Sequence, residues 1–258
     1  MIPISGLWIG PQLSSMEQLS ILSFLDKGYT YNLYTYGNVK NIPPKVIVKD
    51  ANEILPESEL FTYKNKSYSA VSNLFRFILL YKKNTVWVDL DIICTKNYNF
   101  EKDKYLFVTE PDKLYKEEKL GSCLIRMPQN DIICYDAIQK CRREKKKILN
   151  GEIVWGTGPK TIKYIVNKYA LHKYVKKWNF SNCCSNKHYE CIINNNFNEK
   201  GQYFNTIDKI PNSNYFIHLW NEYLRRSNFD KDNIKEKTFL YELTKKLIPN
   251  LIPNSNDD

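Results

Sequence analysis

No apolar run approaches the roughly eighteen residues that a membrane-spanning helix requires. The opening Met1-Ile2-Pro3-Ile4-Ser5-Gly6 also lacks the basic start and long apolar core of a secretory leader. Both absences set the expectation of a soluble, cytoplasmic chain. Cysteines are few and odd in number, 7 without regular spacing, which argues against a disulfide framework and for free thiols in a reducing compartment. One cluster, Cys183, Cys184, His188 and Cys191, has enough thiolate and imidazole for four zinc ligands, but its spacing matches no common zinc finger. Neither an internal repeat nor a Gly/Ser-rich linker occurs. A single domain over 1–248 is expected, followed by a polar tail over 249–258 with the composition of a disordered segment.

With 258 residues, 43% of them hydrophobic, the chain can bury a sizeable core. Lys and Arg number 38 against 28 Asp and Glu, and the resulting charge of +10 favours anionic partners: nucleotides, nucleic acid or an acidic membrane surface. The densest basic runs are Arg142-Arg143 with Lys145-Lys146-Lys147, and Lys173 with Lys176-Lys177. Such runs are usually solvated helix faces, and no nucleic-acid motif accompanies them. A nucleic-acid partner is therefore not expected, while peripheral membrane contact stays open.

Strand-like and helix-like segments alternate, as in an α/β layer architecture. Strands are expected over 4–9, 29–36, 85–88, 104–109, 122–127 and 215–220, and helices over 14–27, 69–82, 131–149, 159–169 and 231–247. The first helix opens on Ser14-Ser15-Met16-Glu17, a capping-box pattern. The clearest helix carries Val71, Leu74, Phe75, Ile78, Leu79 and Tyr81 at helical spacing. A charged loop around Lys116-Glu117-Glu118-Lys119 separates two of the strands.

Immediately after Val86-Trp87-Val88 come Asp89 and Asp91. If the backbone stays extended there, both carboxylates point to one side, at the mouth of a buried strand. Two such acids make a hard-oxygen site suited to Mn²⁺ or Mg²⁺ and, through the ion, to a diphosphate. The plainer alternative is a polar strand end. Upstream, Asn73 and Arg76 are three apart on the helix and can reach a common ligand.

The run Ser72-Asn73-Leu74-Phe75-Arg76 leading into Asp89-Leu90-Asp91 resembles the DXD sugar-binding region of glycosyltransferase family 32, in which a Ser-Asp-Leu-x-Arg helix precedes a Gly-Gly turn and an Asp-x-Asp strand. Here Asn73 stands in place of the acid and Asn84-Thr85 in place of Gly-Gly. Leu7-Trp8-Ile9-Gly10 resembles the family's first strand, Val154-Trp155-Gly156-Thr157-Gly158-Pro159 its Trp-Gly-x-x-Gly-Pro turn, and Ile217-His218-Leu219-Trp220-Asn221 its terminal His-x-Trp-Asn segment. The matches run in the family's order from Trp8 to Arg226 and are most similar to the capsule-type or α-1,4-galactosyltransferase-like branch.

The resemblance implies a GT-A fold, a Rossmann-like α/β domain with a mixed sheet flanked by helices. It implies transfer of a hexose from a nucleotide diphosphate donor, a UDP-sugar, to a glycan hydroxyl, with retention of configuration, as in polysaccharide biosynthesis. On this pattern Asp89, Asp91 and Arg76 form the catalytic group. Trp8 and Gly10 meet the base. Asn73, Arg76, Asp89, Trp155, Gly158, His218, Trp220 and Asn221 surround the rest of the donor. Asp89, Asp91 and His218 hold Mn²⁺ or Mg²⁺. Three other readings stand beside it: a toxin-like transferase acting on a protein hydroxyl, a sugar-nucleotide-binding pseudoenzyme favoured by Asn73, and a basic nucleic-acid-binding protein.

Overall fold

In a computed structural model, which describes residues 1–111, 118–181, 190, 192–193 and 214–248, the apolar run Ile4–Trp8 forms the central strand β1. It pairs in parallel with β2 (Tyr31–Thr35) on one side and with β4 (Val86–Val88) on the other. Beyond β2 lies β3 (Ile47–Asp50), and β8 (Leu124–Arg126) runs antiparallel to β4, giving the order β3-β2-β1-β4-β8. The architecture is mixed α/β, with helices on the two faces of a mixed central sheet.

Side-chain alternation along the strands explains the layers. Ile4, Tyr31, Leu33, Val86, Val88 and Leu124 share one core with Ile21 and Phe24 of α1 (Ser15–Asp26). Leu7, Tyr34, Trp87 and Ile125 point to the opposite face, where α2 (Ser69–Lys82), α3 (Ile132–Leu149) and α4 (Thr157–Lys168) pack together. With both faces covered, β4 needs no polar side, which accounts for its continuous Val-Trp-Val. Helix α2 is buried almost all round, so Asn73 and Arg76 are buried along with Leu74, Phe75 and Phe77.

A second layer of short strands frames the C-terminal edge of this sheet. β5 (Ile92–Cys94) pairs antiparallel with β10 (Phe216–His218), and β6 (Phe107–Pro111) lies between β7 (Glu118–Leu120) and β9 (Val175–Lys176). After β10 come α5 (Asn221–Arg226) and α6 (Phe239–Leu247), whose Leu224, Phe239, Leu240 and Leu243 pack against Met16 and Leu19 of α1. The chain leaves β1 toward β2 and β3, then returns through α2 to β4 on the other side of β1. The order thus reverses between β1 and β4, and open α/β sheets place ligands in the crevice outside the carboxyl ends of strands at such a point.

Several sequence expectations need correction. The chain does not stay extended after β4: Asp89 N–H donates to Cys123 O at 2.8 Å and Ile92 N–H returns to Asp89 O at 3.1 Å, so 89–91 form a turn between β4 and β5. Glu118 and Lys119 are not loop residues but the start of β7, recruited by β6, and the strand expected over 104–109 begins at Phe107 and runs to Pro111. The helix expected over 231–247 begins only at Phe239, capped by Thr238, because Lys231 and Asp232 are drawn to Glu17 and Ser15 of the distant helix α1. The last strand stops at His218, since Trp220 takes a left-handed conformation (φ 57°) and opens α5. Cys183, Cys184, His188, Cys191 and the tail 249–258 lie outside the described residues. Among the described residues no helix is long and apolar enough to cross a membrane.

Candidate functional site

The crevice between β1 and β4 is where the acidic pair stands. Asp89 leaves the end of β4 and is held on two sides: Trp87 Nε1 donates to its Oδ1 at 2.8 Å, and Arg76 Nη2 stands 3.2 Å from the same oxygen. Arg76 is itself locked, for it is 2% exposed and donates from Nε to Ser72 O at 3.2 Å, from Nη2 to Ser72 Oγ at 3.2 Å and from Nη1 to Ser122 O. Its guanidinium also lies 5.0 Å from the centre of the Trp87 ring. Burial holds the Asp89 carboxyl above its usual range despite the Arg76 charge.

Asp91 is fastened through one oxygen only. Oδ2 accepts from Asn221 N–H at 2.9 Å and lies 3.2 Å from His218 Nε2, whereas Oδ1 is buried with no hydrogen-bond partner. Burial alone would raise this carboxyl, but the His218 charge and these hydrogen bonds outweigh it and hold it below its usual range. His218 in turn is raised well above an ordinary histidine: burial pulls it down, and the Asp91 carboxylate with Cys123 more than reverses this. A buried carboxylate oxygen without a donor, beside a second carboxylate, is a position that fits a divalent cation.

Two cavities meet at this pair. The larger, about 310 Å³, is lined by Trp8, Ser72 and Trp87 and by the cations Lys66, Arg225 and Lys231. The smaller, about 180 Å³, is lined by Asn73, Glu110, Ser122, Cys123, Trp155, His218 and Trp220. Ser69, Arg76, Asp89, Asp91 and Glu222 line both and form the wall they share.

The remaining sequence-selected residues take distinct places. Trp8 is half-buried at the end of β1, its Nε1 has no hydrogen-bond partner, and Lys231 Nζ lies 5.5 Å from its ring centre. Gly10 does not line either cavity; a Cβ there would come within 3.1 Å of the Trp8 Nε1 edge. Asn73 donates from Nδ2 to Thr157 Oγ1 at 2.8 Å, which fastens α2 to the first turn of α4. Trp155, at 37% exposure, stands at the rim with the Arg226 guanidinium 4.8 Å from its ring. The rings of His218 and Trp220 have centres 4.1 Å apart and are tilted by 30° to one another.

Gly158 is buried behind the cavity wall, where a Cβ would fall 2.3 Å from Asn73 Oδ1 and 2.6 Å from Ser122 Oγ. Gly158→Ala is expected to lower stability by roughly 1–3 kcal/mol, the usual cost of overpacking. A urea midpoint reads this effect, and an unchanged midpoint would mean that α4 can slide away from α2.

Four groups at or behind the site escape sequence reasoning. Glu110 and Cys123 come from the ends of β6 and the approach to β8, and Glu222 holds Arg225 and Arg226 at 2.8–2.9 Å. Glu17, read only as a helix cap, is fully buried and does more. Its Oε2 accepts from Ser14 N–H at 2.9 Å and from Ser14 Oγ, while Oε1 accepts from Asn221 Nδ2 at 3.1 Å and Lys231 Nζ at 2.5 Å. One carboxylate therefore anchors both the residue that clamps Asp91 and the cation beside Trp8.

No protein-family model and no curated protein matches the chain. Among solved structures, the chain is similar to PaToxG glycosyltransferase at 16% identity, with a TM-score of 0.45 over 65% of this chain and 69% of that one. It is also similar to the glycosyltransferase GlyE of Streptococcus pneumoniae TIGR4 at 10% identity, with a TM-score of 0.44 over 90% of this chain and 62% of that one.

Proposed function

We propose that the chain is a metal-dependent glycosyltransferase of the GT-A type that moves a hexose from a UDP-sugar to a hydroxyl of a glycan acceptor, with retention of configuration. The observation that carries this reading is the shared wall: two cavities of unequal size meet at Asp89, Asp91 and Arg76. A nucleotide fits the larger, where Trp8 offers a flat apolar surface to the base and Lys66, Arg225 and Lys231 offer positive charge to phosphates. The sugar fits the smaller, more enclosed one, and the diphosphate crosses between them. The family resemblance of the motif order from Trp8 to Arg226 supports the same assignment.

Asp91 Oδ1 and Asp89 are the oxygens that would hold Mn²⁺ or Mg²⁺. When bound, the ion supplies Lewis-acid neutralisation of the departing diphosphate. The protein's own part is orientation. His218 Nε2 and Asn221 N–H hold Asp91 through Oδ2 and leave Oδ1 without a partner at the wall the cavities share, and Arg76 with Trp87 fixes Asp89. His218 acts on the site through Asp91 as well as by lining the sugar cavity.

The direct test is a panel of nucleotide sugars scored by thermal shift with and without Mn²⁺, followed by transfer or hydrolysis assays, because a ligand bound to the folded state raises the apparent midpoint. Stabilisation by UDP or a UDP-sugar only when Mn²⁺ or Mg²⁺ is present is expected; indifference to every nucleotide would remove the reading. Trp8→Ala is expected to weaken UDP binding by roughly 1–3 kcal/mol, the range for a base stacked on an aromatic ring. Calorimetric titration measures it, and equal affinity in a folded variant would leave Trp8 a packing residue.

A further inference from the structure

Behind the Asp89–Asp91 pair, on the wall of the smaller cavity, three side chains of different chemistry converge: a carboxylate from Glu110, a thiol from Cys123 and an imidazole from His218. Their ligand atoms all lie within 4.8 Å of one another, with His218 Nδ1 and Glu110 Oε1 3.9 Å apart. Two ligands about 2.1 Å from a tetrahedral zinc stand roughly 3.5 Å apart, so small side-chain movements close the set. The residues come from three separate segments, and Gly121 leaves the space Glu110 occupies: a Cβ there would fall 2.5 Å from Glu110 Oε1.

The second observation concerns His218. Its Nε2 is engaged by Asp91 Oδ2 at 3.2 Å, while Nδ1 is buried, aimed between Glu110 and Cys123, and has no hydrogen-bond partner. A histidine that ligates a metal through one ring nitrogen ordinarily donates from the other to a carboxylate, which fixes its tautomer and orientation. Asp91 and His218 already stand in that relation.

We infer that Glu110, Cys123 and His218 Nδ1 form a binding site for a divalent metal of borderline softness, Zn²⁺ foremost, oriented by Asp91 and separate from the hard-oxygen position at Asp91 Oδ1. The mixed sulfur, nitrogen and oxygen set favours Zn²⁺ or Co²⁺ over Mg²⁺ and Mn²⁺, which prefer oxygen. Three protein ligands leave a fourth position, and because all three line the 180 Å³ cavity, that position opens on it, within reach of a water or a substrate hydroxyl. The assignment does not depend on sugar transfer, since it concerns the face of His218 turned away from Asp91.

The test is titration of the metal-stripped full chain with Co²⁺, followed by displacement with Zn²⁺, read by absorption and by metal content. A sulfur-to-cobalt charge-transfer band that saturates at one equivalent and is abolished by Zn²⁺ is expected. The band should vanish in Cys123→Ser and persist in Asp89→Asn. Glu110→Gln should keep it while weakening Co²⁺ affinity tenfold or more, which serves if the serine variant does not fold. Absence of the band in the wild-type chain, or its survival in a folded Cys123→Ser variant, overturns the assignment. His218 would then be a cation held between Asp91 and Glu110. Failure of UDP to bind leaves this spectrum untouched, so the two readings fail separately.

Discussion

Asp91→Asn is expected to lower transfer by at least about a hundredfold and to remove the divalent-metal dependence of UDP binding. The substitution is nearly isosteric, and the retained carbonyl oxygen can still accept from Asn221 N–H, which Asp91 Oδ2 now does at 2.9 Å. What changes is the other end of the group. Oδ1, buried and without a donor, becomes an NH₂ that presents two protons to the place where a cation is proposed. Loss of one pre-organised electrostatic contact in an active site costs about 10²–10³ in rate. Initial rates with the best donor, together with UDP affinity at several Mn²⁺ concentrations, measure both consequences. Full activity in metal-depleted buffer would sink the proposed function, and a variant that is inactive because it is unfolded would be recognised by its circular dichroism.

Glu17→Ala carries the largest expected effect on stability, roughly 3–5 kcal/mol, the range for removing one partner of a buried ion pair. The wild-type carboxylate is fully buried and accepts from Ser14, Asn221 and Lys231. Alanine leaves the Lys231 ammonium and the Asn221 amide without their acceptor and removes the reciprocal half of the helix cap. Because Asn221 also clamps Asp91, UDP affinity should fall in the surviving folded fraction. Glu17→Gln keeps an oxygen acceptor and should lose less. Urea denaturation at constant m-value reads the stability change. A loss under about 1 kcal/mol would mean that water replaces the carboxylate without difficulty.

The sheet and its helices are legible in the sequence where packing follows local periodicity. Helix α2 is bounded as its apolar spacing predicts, and the Val-Trp-Val of β4 announces burial on both faces. The Asp pair, Arg76 and Trp8 are legible because they sit at the ends of those elements. Glu110, Cys123 and Glu17 are not, for each acquires its role from partners remote in the chain. Glu110 at the end of a strand is the one whose position gives a signal, because an acid beside a strand terminus is where the neighbouring acids also lie. The left-handed backbone of Trp220 has no sequence signature at all, yet it turns Asn221 N–H onto Asp91. Lys231 is misread for a related reason: its run resembles a helix until the buried carboxylate of Glu17 claims it.

Glu17 also imposes a timetable. Its partners Asn221 and Lys231 follow it by 204 and 214 positions, and at about 5–20 residues per second a ribosome needs roughly 10–40 s to reach them. Over that interval the nascent chain already carries Trp8, and later the two acids, but α1 has only Ser14 to occupy its carboxylate. The clamp on Asp91 therefore waits for a contact that spans 204 positions of the chain, and it closes only when the segment carrying Asn221 and Lys231 docks on α1.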